Sequence, residues 1–240
     1  MRRTICLVLA VAINATAATV SQAQTNSWIG RSDGKWERER HWDDGLPSIT
    51  QSAVIISNAN SKVVTIDKHT AHAFSKSLTI SNLTVSAQGG INNTLFLDNT
   101  GTVALHILNG LTIGIDPDTP AGAGGMELIS TNSTLVVDGL QGGQLEDDGK
   151  LVLTGGSLIT TNCSLQVGHS FFDDVVGFLI ISNAVVQARD VNISGPYSSG
   201  TLEVIGGTMT LSSTLSVGGV DDARGSLLVA NGEAACSYER

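Results

Sequence analysis

The chain has 240 residues, 41% apolar but only 4% aromatic, with 27 glycines and 15% charged side chains at a formal net charge of −9. That is enough apolar material for a core but little of the aromatic bulk that fills a thick globular one. It suits thin stacked coils filled by Val, Ile and Leu and joined at tight turns. An acidic, weakly charged surface excludes nucleic acid and anionic membranes as partners, because neutralising phosphates needs clustered Lys and Arg.

Residues 1–23 read as a secretory signal peptide. Arg2 and Arg3 supply the positive start, residues 5–20 form a short apolar stretch, and Ser21-Gln22-Ala23 places small residues for cleavage before Gln24. The apolar stretch carries Asn14, Thr16 and Thr19 and is too short for a comfortable membrane span. The expected protein is therefore exported, extracellular or on an outer cell surface, with no transmembrane segment in the mature chain. Loss of the leader removes two arginines, which moves the formal charge from −9 to −11.

Residues 24–50 hold all three tryptophans, Trp28, Trp36 and Trp42. The first coil of a solenoid has a bare apolar end and a row of unpaired backbone groups, and large amphipathic rings can plug it. Exposed in a row, the same rings would stack on sugars. Both readings are carried forward, the cap and the carbohydrate contact.

Residues 51–148 follow a loose strand-and-corner pattern. Ile55-Ile56-Ser57-Asn58 returns as Thr79-Ile80-Ser81-Asn82, an apparent period of 24. Leu95-Phe96-Leu97, Leu105-His106-Ile107 and Leu111-Thr112-Ile113 read as further strands. The corner asparagines suit tight bends, since Asn tolerates the left-handed conformation. His69 and His72 form an isolated pair with no cysteine or third histidine nearby, so two polar residues on a surface explain them better than a metal does.

From residue 149 to 240 the repeat is regular. Gly149, Gly177, Gly200 and Gly225 each open the same phrase, glycine followed by a run rich in Leu, Ile and Val, at spacings of 28, 23 and 25. The unit at Gly200 divides into three alternating runs, with Leu202, Val204, Leu211, Leu215 and Val217 on one face. Three short strands and three corners per repeat predict an all-β, right-handed parallel β-helix, a three-sided solenoid of about 23–28 residues per coil. No segment carries a capped 3.6-residue apolar period, so helix is expected to be nearly absent. The last coil stops soon after it opens at Gly225, which predicts a longer natural protein.

The opening Trp-x7-Trp-x5-Trp-x2-Gly-x-Pro, then Val63-Val64-Thr65-Ile66-Asp67 and the Gly-x-Leu-x-Val repeats, resemble secreted bacterial autotransporter-adhesin-like β-helix proteins. The resemblance spans residues 28–235 and its motifs are architectural; the Asn usual before the third tryptophan is His41 here. It implies surface or matrix roles, with an extracellular glycan or a host or matrix surface as partner. It supplies no catalytic residues.

Chemistry has few places to reside. Acidic pairs at Asp147-Asp148, Asp173-Asp174 and Asp221-Asp222 precede repeat-opening glycines. Asp173, Asp174, Asp221 and Asp222 are the candidate calcium ligands, because carboxylates stacked on one corner would supply oxygens and relieve their own repulsion by holding a cation. Solvated loop acids are the alternative, and no other cofactor is expected. Nucleophile elbows, phosphate loops and zinc signatures are absent. Cys163 and Cys236 fall three repeats apart, too far for a disulfide within one chain. Two functional readings remain: a noncatalytic surface or secreted solenoid, monomeric or associating end to end, and a carbohydrate-active, lyase-like β-helix enzyme using the acidic corners or a region beyond this sequence.

Overall fold

The computed structural model describes residues 24–57, 59–87, 91–114, 125–139, 142–145, 149–168, 175–195, 198–218 and 223–236. The leader therefore lies outside the described residues. Strand follows strand up a single stack. The first coil holds β1 (Thr25–Ser27) and β2 (Gly34–Lys35), and the second β3 (Ala53–Ile56), β4 (Lys62–Asp67), helix α1 (Lys68–Ala73) and a 3-10 turn, Ser75–Leu78. Next come β5 (Thr79–Val85), β6 (Asn93–Asp98), β7 (Leu105–Ile113), β8 (Met126–Val137), β9 (Gly142–Leu145) and β10 (Gly149–Val167). The series closes with β11 (Val175–Ser182), β12 (Val185–Ile193), β13 (Ser198–Ile205), β14 (Thr208–Leu211), β15 (Leu215–Val217), β16 (Arg224–Ala230) and β17 (Glu233–Cys236).

Every ladder between these strands is parallel, and they sort into three faces. Face A stacks β2, β4, β6, the first half of β8, the start of β10, β11, β13 and β16. Face B stacks the start of β5 and of β7, the second half of β8, the middle of β10, the start of β12, β14 and β17. Face C stacks β1, β3, the ends of β5 and β7, β9, and the ends of β10 and β12, with β15 last. The chain is a three-sided parallel β-solenoid of about seven turns.

Alternation along each strand builds the core. Val64, Leu95, Leu128, Leu151, Leu179 and Leu202 stand one above another on face A, each fully buried. Parallel strands placed in register by a repeating sequence put like side chains in columns, which satisfies both the backbone ladder and the packing of the lumen. Gly149, Gly177, Gly200 and Gly225 are aligned as the repeat predicts.

Of three expectations two need correction, and the second, the near absence of helix, holds apart from one short element. The first concerns period. Val54 pairs with Leu83, and Ile55 with Thr84, so the early coil is 29 residues long on face C and the apparent period of 24 is not the register. Asn82 still stands at a corner, where β5 passes from face B to face C with a shift of register, and its amide donates to the Ser52 carbonyl at 2.6 Å. On face A, Gly34 pairs with Val64, Val64 with Leu95 and Leu95 with Leu128, spacings of 30 to 33 residues that exceed the expected 23–28.

The second concerns helix. In the later coils the corner from face A to face B is turned at a residue of positive φ, Asn99, Asn132, Gly155 (with Gly156 after it), Asn183, Gly206 or Asn231. These positions align by the ladder register, and the Asn132 amide donates to the Asn99 amide oxygen at 3.1 Å. In the second coil Lys68 occupies that place, and Asp67 caps a short helix there by accepting the Thr70 N–H at 2.9 Å. The helix and the 3-10 turn after it lengthen this coil.

The third concerns Val217, which is 44% exposed, because no described strand stacks on β15. The same holds for Leu227, 37% exposed although it continues the buried leucine column.

Candidate functional surfaces

The tryptophans pack inside the first coil. Trp28, Trp36 and Trp42 are 1%, 0% and 3% exposed, and they meet edge to face, with ring centroids 5.0 Å apart for Trp28–Trp42 and 4.9 Å for Trp36–Trp42. The Trp42 indole N–H donates to the Trp36 carbonyl at 2.8 Å, and the Trp36 indole N–H reaches the Ser77 carbonyl and hydroxyl at 3.2 Å. Buried Asn26 and Gln51 fasten the loop that carries them. The Asn26 amide donates to the Gly45 carbonyl at 2.8 Å, and the Gln51 amide to the Asp44 carbonyl at 2.8 Å. Rings held this way join the lumen core and present no open face on which a sugar could stack. The His41 ring centroid lies 5.0 Å from that of Trp28, and burial, then Arg40 and Arg38, lowers its pKa.

The candidate calcium ligands Asp173, Asp174, Asp221 and Asp222 lie outside the described residues, as do Asp147 and Asp148. Among the described residues no group of three or more His, Cys, Asp or Glu side chains is arranged to hold a metal ion. His69 and His72 sit on α1, and His69 is 3.7 Å from Glu37. Cys163 is buried and Cys236 exposed, and both are free. Burial pushes the Cys163 thiol pKa up, and its S–H donates to the Val137 carbonyl at 3.2 Å, so it is no thiolate nucleophile.

Where charged and polar side chains do meet, they tie one coil to the next. Asp67 accepts from Lys35 of the coil below as well as from the Thr70 N–H and hydroxyl. Burial alone would raise its pKa, but these bonds outweigh burial and hold the carboxyl down at about 2. His106 Nε2 lies 2.7 Å from Asp138 Oδ2 one coil above, and Asn162 reaches the other oxygen at 3.4 Å from the coil above that. Asp190 accepts from the Arg189 guanidinium at 2.6 Å and from the Thr214 hydroxyl at 2.9 Å. Burial opposes ionisation of Asp190 and its donors prevail, leaving its pKa well below the ordinary carboxylate value. In none of these clusters is a nucleophile aligned with a base and an orienting group. The sequence reading missed them because partners separated by one uneven coil have no fixed spacing along the chain.

The outward rows differ between faces. On face A the row Phe96, Ile129, Val152 and Ile180 is apolar and half-buried. On face C the corresponding row runs Thr84, Thr112, Gln144, Gln166, Asn192 and Ser216 through six successive coils, without a charge. Beside it, Asn82, Leu83, Thr84, Gly110, Leu111, Thr112 and Gln144 line a shallow recess of about 210 Å³.

No helix among the described residues is long and apolar enough to cross a membrane. No protein-family model, curated protein or solved structure matches the chain.

Proposed function

We propose that this chain is a noncatalytic, exported β-solenoid that works at a cell surface or in a matrix, in adhesion, display or scaffolding. One observation carries the reading. Its clustered polar side chains, His106 with Asp138 and Asn162, Arg189 with Asp190 and Thr214, bond to one another up the stack, leaving none poised as a base or nucleophile. Such ladders rigidify an elongated body whose flat faces offer many shallow contacts, as repeat proteins bind.

The test is turnover. The purified chain beginning at Gln24 is screened against pectin, alginate and similar acidic glycans, with and without calcium, and no bond cleavage is expected. Cleavage that disappears when Asp173 and Asp174 are both changed to alanine would replace this reading with that of a carbohydrate-active enzyme. Export is tested separately, by expressing the full chain in a bacterial host and sequencing the N-terminus of the exported product, which is expected to begin at Gln24.

A further inference from the structure

We propose that face C is a binding strip for an uncharged glycan chain, laid along the solenoid axis and seated in the recess beside Thr112 and Gln144. The proposal rests on the noncatalytic surface reading and gives it a ligand class and a site.

The strip begins with register. Thr84 pairs with Thr112, Thr112 with Gln144, Gln144 with Gln166, Gln166 with Asn192 and Asn192 with Ser216. Six hydroxyl or amide side chains thus repeat at the rung spacing, over about 24 Å. Each is both donor and acceptor, which matches sugar hydroxyls. The inward neighbours Leu83, Leu111, Leu165 and Val191 are buried, so their strands hold the row rigid.

Shape adds a second observation. In the neighbouring column Asn82 pairs with Gly110 and Gly110 with Gly142, so side-chain bulk is missing there and the recess of about 210 Å³ opens between Asn82 and Gln144.

Charge selects the ligand. The row carries no cation to pair with a uronate carboxylate or a sulfate, and the chain as a whole is acidic. A polyanionic glycan would find no cation in the row and, beside it, only Arg189 already paired with Asp190, whereas a neutral one needs no ion pair. With the tryptophans buried, recognition falls to these hydroxyls and amides, so each contact is weak and length supplies the affinity.

The experiment is affinity electrophoresis of the full chain in gels containing soluble β-glucan, mannan or xylan, with pectin and alginate alongside. Retardation by at least one neutral glycan is expected, little changed by salt and absent with the acidic pair. Combining Thr112→Val with Gln144→Leu keeps shape and removes hydrogen bonds, and should weaken retention about tenfold or more. Gln144→Glu should do the same by placing a charge in the row. Thermal unfolding of each variant near the parent midpoint would show that the fold is intact. The face A pair Ile129→Thr and Val152→Thr should leave retention unchanged. Retention lost only in the face A variant, or no retention by any neutral glycan, overturns the strip while leaving the noncatalytic reading in place. Chain shortening of the glycan would instead overturn that parent reading.

Discussion

At the scale of single residues, two positions carry more tension than their neighbours. Lys62 points into the stack at the start of β4, 2% exposed, and its ammonium donates to the Asn93 side-chain oxygen at 2.7 Å. Burial holds its pKa down at about 8, against 10.5 for an ordinary lysine. A basic group with a lowered folded pKa binds fewer protons folded than unfolded between those values. Stability therefore rises as pH climbs from about 8 to 10.5, and the penalty is fully present below about 8. Changing Lys62→Met should stabilise the chain at pH 7 and remove that rise, read as urea midpoints of both proteins across the alkaline range. Parallel pH profiles would show that the ammonium is not desolvated. Ser194 is the second position. It adopts φ 71° at a corner where Gly168 and Gly218 occupy the equivalent places at 70° and 69°, and its hydroxyl is buried without a partner among the described residues. Ser194→Gly relieves both faults and should stabilise by about 1 kcal/mol, measured by chemical denaturation. A destabilised variant would mean that the hydroxyl has a partner.

At the scale of elements, the early coils are set apart by α1, whose existence depends on Asp67. That one carboxylate caps the helix through the Thr70 N–H and accepts from Lys35 of the coil below. Asp67→Ala removes both roles and should cost about 1–2 kcal/mol, most of it from the lost cap. Acid offers a sharper check. The folded pKa of about 2 lies below the ordinary 3.8, so the stabilisation from this group is complete above about 4 and disappears as pH falls toward 2. Asp67→Asn keeps an acceptor for the cap and should flatten that part of the acid denaturation profile. A profile unchanged by Asp67→Asn would assign the acid loss to other carboxylates. The capping role was hidden in the sequence because Asp67 ends an alternating strand run, and six helical residues are too few to show a period.

At the scale of the whole molecule, each coil touches mainly the coil above and below, so stability is a sum of local terms. Leu202 and Leu227 share one column, yet Leu202 is fully buried and Leu227 is 37% exposed. Leu202→Ala should cost about 3 kcal/mol and Leu227→Ala well under half of that, by the volume of the cavity each can leave. Because all three tryptophans sit in the first coil, their fluorescence reports that end alone, while far-UV circular dichroism reports every strand. Leu202→Ala should therefore lower the dichroism midpoint more than the fluorescence midpoint. Coincident shifts would show instead that the stack unfolds as one cooperative unit.

Sequence alone determined the parallel solenoid and its later register. A column of like side chains at regular glycine-led spacings is a one-dimensional signal, and Leu151, Leu179, Leu202 and Leu227 align as their repeats read. It also marked asparagine as a corner former, because a tight corner admits few residue types, and Asn183 turns such a corner at positive φ. Tertiary structure decided what spacing could not carry. Uneven coils of 27 to 33 residues dissolved the apparent period between Ile55 and Thr79, since register follows the ladder of hydrogen bonds rather than local resemblance. It turned the three tryptophans inward and brought His106, Asp138 and Asn162 together from three separate coils. It also aligned Thr84, Thr112, Gln144, Gln166, Asn192 and Ser216 into one uncharged row. Contacts along a solenoid axis join residues a full coil apart, and when coil length varies, only the folded stack shows which residues meet.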